Sequence, residues 1–582
     1  MAQQAARSTG GPGVRALPAG RHALLLELGD PGEALAVYDR LQQLRRAGAV
    51  SLGEVVPAAE TVLVSTPGDV EALSGVLRAL GAGPGRPAGT APAARPSDTR
   101  SSLPGPARGA GVSGPAPVEV PTSYDGEDLE QVARAWGMTR AEAVATHTGL
   151  RHVAAFSGFL PGFAYLRGLP AELAVPRRAT PRPRVPPGSV AVAGTYSGIY
   201  PKASPGGWQV LGHTDLELFD PARDPPALIV PGATVRFSDL TAPRRRRAGK
   251  AAGGPPSRRS PTRPVTAATP GLGAAAIGEV PGTGARPALR VTRAGWLTTV
   301  QDGGRPGLAH LGVPPSGALD RRAFRLANRI VGNDAAGSDE AHAALETTMT
   351  GVGLEATARC VVAVTGAAAP VRVDGRPAAL GEAIELGAGC RLEVGTAREG
   401  FRCYVAVRGG IDVEPVLGSR STDLLSGLGP RPLVVGDLLP IGPAPPGRPV
   451  PGAVPIATPP PFAELRLDLG PRDDWLTEAG RSTLARGCWR VGAASNRSAL
   501  RLEGPVVGRR AGDLDSEGLV AGAVQVPPDG QPIVFLADRP TTGGYPVVGV
   551  VDDEGLALAA QARPGSEVRF RVVERTAAPV LC

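Results

Sequence analysis

Apolar positions in this chain recur with two periods, and each change of period marks an element. HALLLEL (22–28) and TVLV (61–64) are apolar runs of strand length. Between them Ala34, Val37, Leu41 and Leu44 share one face of a helix that starts with Asp30 as N-cap and Pro31 in the first turn. A second helix ending near Leu80 completes a small α/β unit over 20–80. Further on, Leu129, Val132, Ala133 and Trp136 recur at i, i+3, i+4 and i+7, an amphipathic helix that must dock on something. Thr139 and Glu142 carry a capping-box pattern for the next helix, which bears Val144 and His147.

The rest reads mainly as β. ALRVTRAGWLTTV leads to a turn at QDGGRPG, then to a helix from about Leu319 to Val331 with Leu319, Ala323, Leu326 and Ile330 on one face. From Cys360 the runs CVVAVTG, VRVDG, AIELG, RLEVG and RCYVAVRGG are short and punctuated by glycine, the spacing of a barrel or sandwich. ELRLDLG, PIVFLAD and EVRFRVV indicate one more β unit.

Composition divides this pattern into domains. A chain of 582 residues needs several cores. Pro/Gly-rich stretches without periodicity over 81–117 and 241–287 read as linkers, and 441–461 as a shorter break. They leave a domain at 118–240, a first part of a second half at 288–440, and its second part at 462–575. The net charge of +8 gathers in RRRRAGK (244–250) within the second linker. With no aromatic interleaving and no recognition-helix pattern, a solvated linker fits better than a nucleic-acid surface. Five cysteines without CxxC spacing indicate neither a zinc site nor a disulfide framework, and free thiols suit a reducing cytoplasm. No apolar run approaches the ~20 residues that span a bilayer, so no membrane partner is expected.

Several chemistries are excluded. There is no phosphate loop, no HExxH, no GxSxG and no GxGxxG between strand and helix. The only lysines are Lys202 and Lys250, neither in an Ala-Met-Lys-Met setting, so the chain carries no covalent biotin of its own. What remains are polar groups on Gly/Pro-rich turns, the way rigid loops present donors to a ligand. The densest such stretch, Gly158 to Thr214, holds Phe159, Gly162, Gly206, Gly207 and Trp208 and reads as a loop-rich β surface closing over something small. His147 is either a capping or surface residue or an acid–base group. His213 is either an anion or proton-shuttle site or a strand-end hydrogen bond. Arg177, Arg178, Arg182 and Arg184 in PRRATPRPR could fork a carboxylate or phosphate, or simply reflect an Arg-rich composition. Ser189 lacks an adjacent base and suits a structural or ligand-bonding hydroxyl. In the second half Gln301, Asp302 and Arg305 share one turn. Ser316 leads into the helix bearing Asp320, Asn328 and Asn333; Arg420, Ser421 and Thr422 form an anion-nest-like turn. Thr542, Gly543, Gly544 and Tyr545 form the last cluster.

These motifs carry a resemblance. GFLPGFAYL, PRRATPRPRVPPGSV, GIYP, SPGGW and VPAAETVLV resemble the B-subunit family of 5-oxoprolinase, also called allophanate-hydrolase-subunit-1-like or Kip inhibitor proteins. QDGGRPG, SGALD, LANRIVGN, GGIDV, VLGSRSTD, GAVQVPPDGQPIV and TTGGYP resemble its C-subunit, allophanate-hydrolase-subunit-2-like family. Together they resemble the carboxyltransferase region of urea carboxylase. The resemblance implies an α+β, mainly β chain: cyclophilin-like β-barrel domains preceded by the small α/β unit, in two fused halves sharing one site. It implies an ATP-dependent amide hydrolase opening 5-oxoproline to L-glutamate, with ATP and Mg as co-substrate, a separate partner like the 5-oxoprolinase A-subunit, a cytoplasmic location and room for a homo-oligomer. His147, Arg177, Asp302, Arg305 and Asp320 are the expected catalytic residues, and the other residues of these turns the expected binding set. Alternatives are a carboxyltransferase taking carboxyl from biotin on another chain to urea or a related amide, and a regulator of a sensor histidine kinase. Four places depart from the family pattern: His213 replaces an arginine, SNRSA (495–499) stands where Ser-Asp-Arg-Met-Gly is usual, Gly555 replaces an acid, and extra residues precede Leu345-Glu346.

Overall fold

The computed structural model describes residues 14–48, 50–68, 73, 116–240, 287–333, 342–457, 460 and 462–573. The helix expected to end near Leu80, nearly all of the first two linkers, and the extra residues before Leu345 lie outside them.

The N-terminal unit is a four-stranded antiparallel sheet in the order Arg15–Pro18, Ala23–Glu27, Thr61–Ser65, Val55–Pro57. Helix α1 (Pro31–Arg46) begins where Asp30 accepts the Gly32 N–H at 2.5 Å, with Pro31 where a missing N–H costs nothing. It buries Ala34, Tyr38 and Leu41, while Val37 and Leu44 pack at the margin.

The next domain is a seven-stranded sheet in the order Gln209–His213, Ser189–Ala193, Tyr196–Ile199, Ala164–Arg167, His152–Ser157, Thr234–Asp239, Val118–Thr122, the last pair parallel. Its two edges meet at one bridge: Ser123 and His213 exchange backbone hydrogen bonds of 2.8 and 2.9 Å, which curl the sheet into a nearly closed barrel. Helix α2 (Leu129–Ala135) buries Leu129, Val132 and Ala133 with Trp136 against Val192 and Leu211 of the barrel. Helix α3 (Arg140–Gly149) carries the expected reciprocal capping box between Thr139 and Glu142.

The second half opens with a six-stranded and a five-stranded sheet packed over one core of Leu289, Val300, Leu345, Val364 and Val405. Helix α4 (Arg321–Ile330), capped by Asp320, covers the outer face of the five-stranded sheet through Phe324 and Ala327 against Tyr404 and Ala363. Covered on both faces, the strand Ala344–Thr348 is wholly buried despite holding Glu346 and two threonines. The Pro-rich 441–457 segment is tied down across this layer, Val450 N–H to Ile330 O at 2.9 Å and Val454 N–H to Gly381 O at 2.8 Å.

A closed seven-stranded barrel completes the chain, its first strand Phe462–Leu469 parallel to its last, Glu567–Val573. The first barrel uses the same parallel pairing of its opening and closing strands. Helices α5 (Glu478–Arg486) and α6 (Asp553–Gln561) flank the second barrel. The architecture is thus the expected one: α+β, mainly β, with cyclophilin-like barrels in two halves. No helix among the described residues is long and apolar enough to cross a membrane.

Candidate functional site at the seam of the halves

The Gly158 to Thr214 stretch lies where the halves meet. Its FLPGF turn is tight: Leu160 N–H bonds Gly158 O at 2.7 Å and Phe163 N–H bonds Leu160 O at 3.0 Å, with Phe159 held at φ 65°. The turn docks on the second half at several points. Gly162 N–H donates to Leu311 O at 3.0 Å. A Cβ on Gly158 would stand 1.9 Å from Thr542 Oγ1, so only glycine permits that approach. Lys202 Nζ donates to Ser426 O at 3.1 Å. Phe219, Leu311, Val313 and Leu428 bury one apolar cluster across the junction.

This corrects the reading of the stretch as a surface closing over a small molecule. Its aromatics are packed on each other: Phe163 meets Trp208 at 5.3 Å, Tyr165 at 5.1 Å and Phe159 at 5.6 Å, all edge-on. Gly206 lies where a Cβ would reach the Tyr200 hydroxyl at 2.3 Å, while Gly207 has ordinary room.

On the other side of the seam the QDGGR and GSRST turns interlock through Asp302. Its carboxylate accepts from Ser419 Oγ and Ser421 Oγ, both at 2.6 Å, from Gly304 N–H at 2.8 Å and from Arg420 N–H at 2.5 Å. Four donors make Asp302 the clamp of two turns rather than a free catalytic carboxylate. Arg305, 2% exposed, donates to the carbonyls of Ser421 and Val416, and its Nη1 has no hydrogen-bond partner among the described residues. Burial pushes its pKa down, against the pull of Asp423, Asp302 and Asp538. Gln301 Nε2 reaches Thr422 O at 3.0 Å.

A chain of buried charges continues from there. Ser316, at φ 56°, donates to Asp538 Oδ1 at 2.7 Å. Arg497 forks Asp538 at 2.9 and 3.0 Å and also bonds Glu346. Glu346 accepts from Tyr404 OH at 2.8 Å, and that oxygen accepts the Asp320 N–H at 2.7 Å. Asp320 itself caps α4 and accepts from Gln561 Nε2 at 2.8 Å, so its role is to start the helix. Asp423 accepts from the N–H groups of Leu425 and Ser426 and from the Ser426 hydroxyl. Burial, then Asp538, pushes its carboxyl up to about 6. Burial pushes the Lys202 ammonium down, with Asp423 pulling the other way. An amine and a carboxyl each moved toward neutrality, beside a buried guanidinium, form a group able to hold and release protons.

Other expected site residues fall elsewhere. His147 is fully buried inside the first barrel, with Nδ1 2.7 Å from Tyr124 OH, Nε2 3.1 Å from Ser197 Oγ, and rings of His152 and Phe237 against it. Burial holds its pKa well below 6.5. Both nitrogens are partnered, so its expected catalytic role gives way to a core position. Arg178 and Arg182 bond Asp128, at 2.9 Å each, whereas Arg177 and Arg184 are exposed. Ser189 is buried in the strand beside His213, and His213 pairs with Asp125 at 2.9 Å on the barrel's closing bridge. Asn333 bonds Asn328 Oδ1 at 2.8 Å and Val407 O at 2.9 Å, tying the end of α4 to its sheet. Arg420 pairs with Asp412 at 2.8 Å. Thr542 and Gly543 pair with the strand at 517–518, Gly544 follows them, and Tyr545 is half-exposed with its carbonyl accepting from Gln525. Gly555 has a Cβ position 2.5 Å from Val551 Cγ1, leaving no room for an acid. Glu346, Asp423, Arg497, Asp538 and Lys202 were missing from the expected set; the signals that could have found them were the rarity of Lys202 and the motif positions of Glu346, Asp423 and Arg497.

Comparison with known proteins matches this architecture. Residues 14–229 match the model of the carboxyltransferase domain, subdomain C and D, and residues 311–572 that of subdomain A and B. The chain belongs to this carboxyltransferase-domain family. Within it, the chain is a fusion of two halves, one like the B-subunit and one like the C-subunit of 5-oxoprolinase. It is 39% identical over 286 residues to the 5-oxoprolinase C-subunit of Escherichia coli K12, covering 48% of this chain and 90% of that protein. It is 50% identical over 123 residues to the 5-oxoprolinase B-subunit of Escherichia coli O157:H7, covering 21% of this chain and 56% of that protein. Urea amidolyase of Saccharomyces cerevisiae is 32% identical over 307 residues, 16% of its length. The crystal structure of TTHA0988 superposes with a TM-score of 0.75 at 34% identity, covering 95% of this chain and all of that one.

Proposed function

We propose that this chain is the fused B/C component of an ATP-dependent 5-oxoprolinase, converting 5-oxoproline to L-glutamate with a separate protein of the A-subunit type. The observation that carries the reading is the seam: halves similar to two separate 5-oxoprolinase subunits are joined by the Lys202–Ser426 and Gly162–Leu311 hydrogen bonds and one shared apolar cluster, beside Asp423 and Arg305 of the C-like half. A five-membered lactam is a stable amide. Transfer of the ATP γ-phosphoryl group to its oxygen makes the ring carbon electrophilic, with ADP leaving; water then adds at that carbon, the ring C–N bond breaks as the nitrogen takes a proton, and a second water hydrolyses the resulting acyl phosphate to the glutamate carboxylate and inorganic phosphate. Arg305 is suited to the growing negative charge and the Lys202–Asp423 pair to the protons. Among the described residues no cluster of three His, Cys, Asp or Glu side chains could hold a metal, so Mg would arrive on the nucleotide's phosphates. The test is ADP formation that depends on 5-oxoproline once an A-type partner protein is added.

Similarity to urea amidolyase favours a second reading, a carboxyltransferase fed by biotin on another chain. Avidin-sensitive incorporation of bicarbonate into urea or a related amide would support it over the first.

A further inference from the structure

A cleft of about 590 Å³ opens between the N-terminal sheet, the start of α4 and the second barrel, away from the Lys202 contact. In its wall lies Arg539, 7% exposed. Its Nε donates to Leu519 O at 3.2 Å, and the guanidinium forms no ion pair among the described residues. That is unlike the other deeply buried arginines that brace the second barrel. Arg472 sits between Glu517 and Glu27, and Arg497 between Asp538 and Glu346. A buried cation normally requires such partners, because nothing else offsets the loss of its hydration.

Glu54 lines the same cleft but faces the other way. Its two oxygens accept the backbone N–H groups of Gly307 and of Ala309, the latter at 3.1 Å. Its charge reaches Arg539 without a hydrogen bond, while burial and the neighbouring Arg321 push the Arg539 pKa down to about 10. Asp552, also in the lining, is occupied in capping α6. The cleft thus holds one buried fork whose Nη groups no side chain among the described residues takes up.

We propose that this cleft is an oxyanion site in which Arg539 forks a phosphate or carboxylate group of a small ligand. Planar, bidentate pairing of a guanidinium with either group is the chemistry that offsets its burial. Ser316 lines the cleft too and bonds Asp538, the residue before Arg539, so a bound anion abuts the buried charge chain of the seam. On the 5-oxoprolinase reading the anion is a nucleotide phosphate or the 5-oxoproline carboxylate, but the site stands on its own geometry and its test needs no partner protein.

The experiment is calorimetric titration of the full chain with inorganic pyrophosphate and, separately, with 5-oxoproline. At least one probe binds the wild type, and Arg539→Gln weakens it at least about tenfold while Arg539→Lys weakens it less. Arg569→Gln, at an exposed site, leaves it unchanged. Thermal melting checks that each variant is folded. Should Arg539→Gln fail to fold, Ala521→Glu, which brings a carboxylate into the same cleft, takes its place and must weaken binding likewise. Pyrophosphate binding alone makes it a phosphate site, and 5-oxoproline binding alone a carboxylate site. Failure of both probes on the wild type, or unchanged binding by the folded variants, overturns the proposal.

Discussion

Lys202 Nζ, in the B-like half, donates to the carbonyl of Ser426 in the C-like half at 3.1 Å, and Ser426 in turn donates its hydroxyl to Asp423. One of only two lysines in the chain therefore bridges the halves and faces the carboxyl whose pKa is raised most clearly at the seam. Lys202→Met keeps the stem and removes the amine. It is expected to lower stability by about 1 kcal/mol, the worth of one partly buried hydrogen bond, and turnover by on the order of a hundredfold. Urea titration and steady-state rates on the same preparation separate the two effects. A variant with wild-type turnover would remove Lys202 from the chemistry.

Gly158 tests the docking itself. A methyl group there overlaps Thr542 Oγ1, so Gly158→Ala is expected to cost about 1–3 kcal/mol. Thr542→Ala in the same chain removes the clashing oxygen and restores part of the loss. The double-mutant cycle should show a favourable coupling; strict additivity would mean the two residues do not meet.

The buried charge chain depends on Arg497. Arg497→Met removes the cation shared by Glu346 and Asp538 and leaves Glu346 only Arg402 at 3.6 Å, an expected loss of about 3–5 kcal/mol in urea titration. A change below about 1 kcal/mol would contradict the pairing.

Two groups give stability opposite pH slopes. Burial pushes His310 down to about 4, below the 6.5 of a free imidazole, with Arg45 adding to the effect. Between those values the unfolded chain binds more protons, so stability rises with pH through the window and is lost as pH falls toward 4. Asp423 is raised from 3.8 to about 6, so its contribution is present below 3.8 and is lost as pH rises to 6. Over pH 4–6 His310→Gln should flatten the rise in melting temperature, and Asp423→Asn should steepen it. The same slope in all three proteins would contradict both assignments.

The elements were legible in the sequence because their signals are local. Asp30 before Pro31, the Thr139–Glu142 box and the 3.6-residue spacing after Leu319 each fix a helix within a few residues. The site was legible only by turn. Which turns meet depends on docking: Lys202 and Ser426 are 224 positions apart, and Arg497 and Glu346 are 151 apart. His147 was misplaced for a related reason. The helix wheel puts it on a polar edge, but α3 lies against the barrel and that edge points inward, onto Tyr124 and Ser197. The arginine-rich PRRATPRPR stretch hid the same ambiguity, since Asp128, some fifty positions earlier, takes Arg178 and Arg182 and leaves Arg177 and Arg184 outside.

ADP release by the intact chain mixed with an A-type 5-oxoprolinase partner, measured with and without 5-oxoproline for wild type and Lys202→Met, decides whether the fused halves work as a 5-oxoprolinase component. Release by the wild type is expected to depend on 5-oxoproline and to fall steeply in the variant while both remain folded. Release independent of 5-oxoproline, or none at all from folded wild-type protein, would contradict that role.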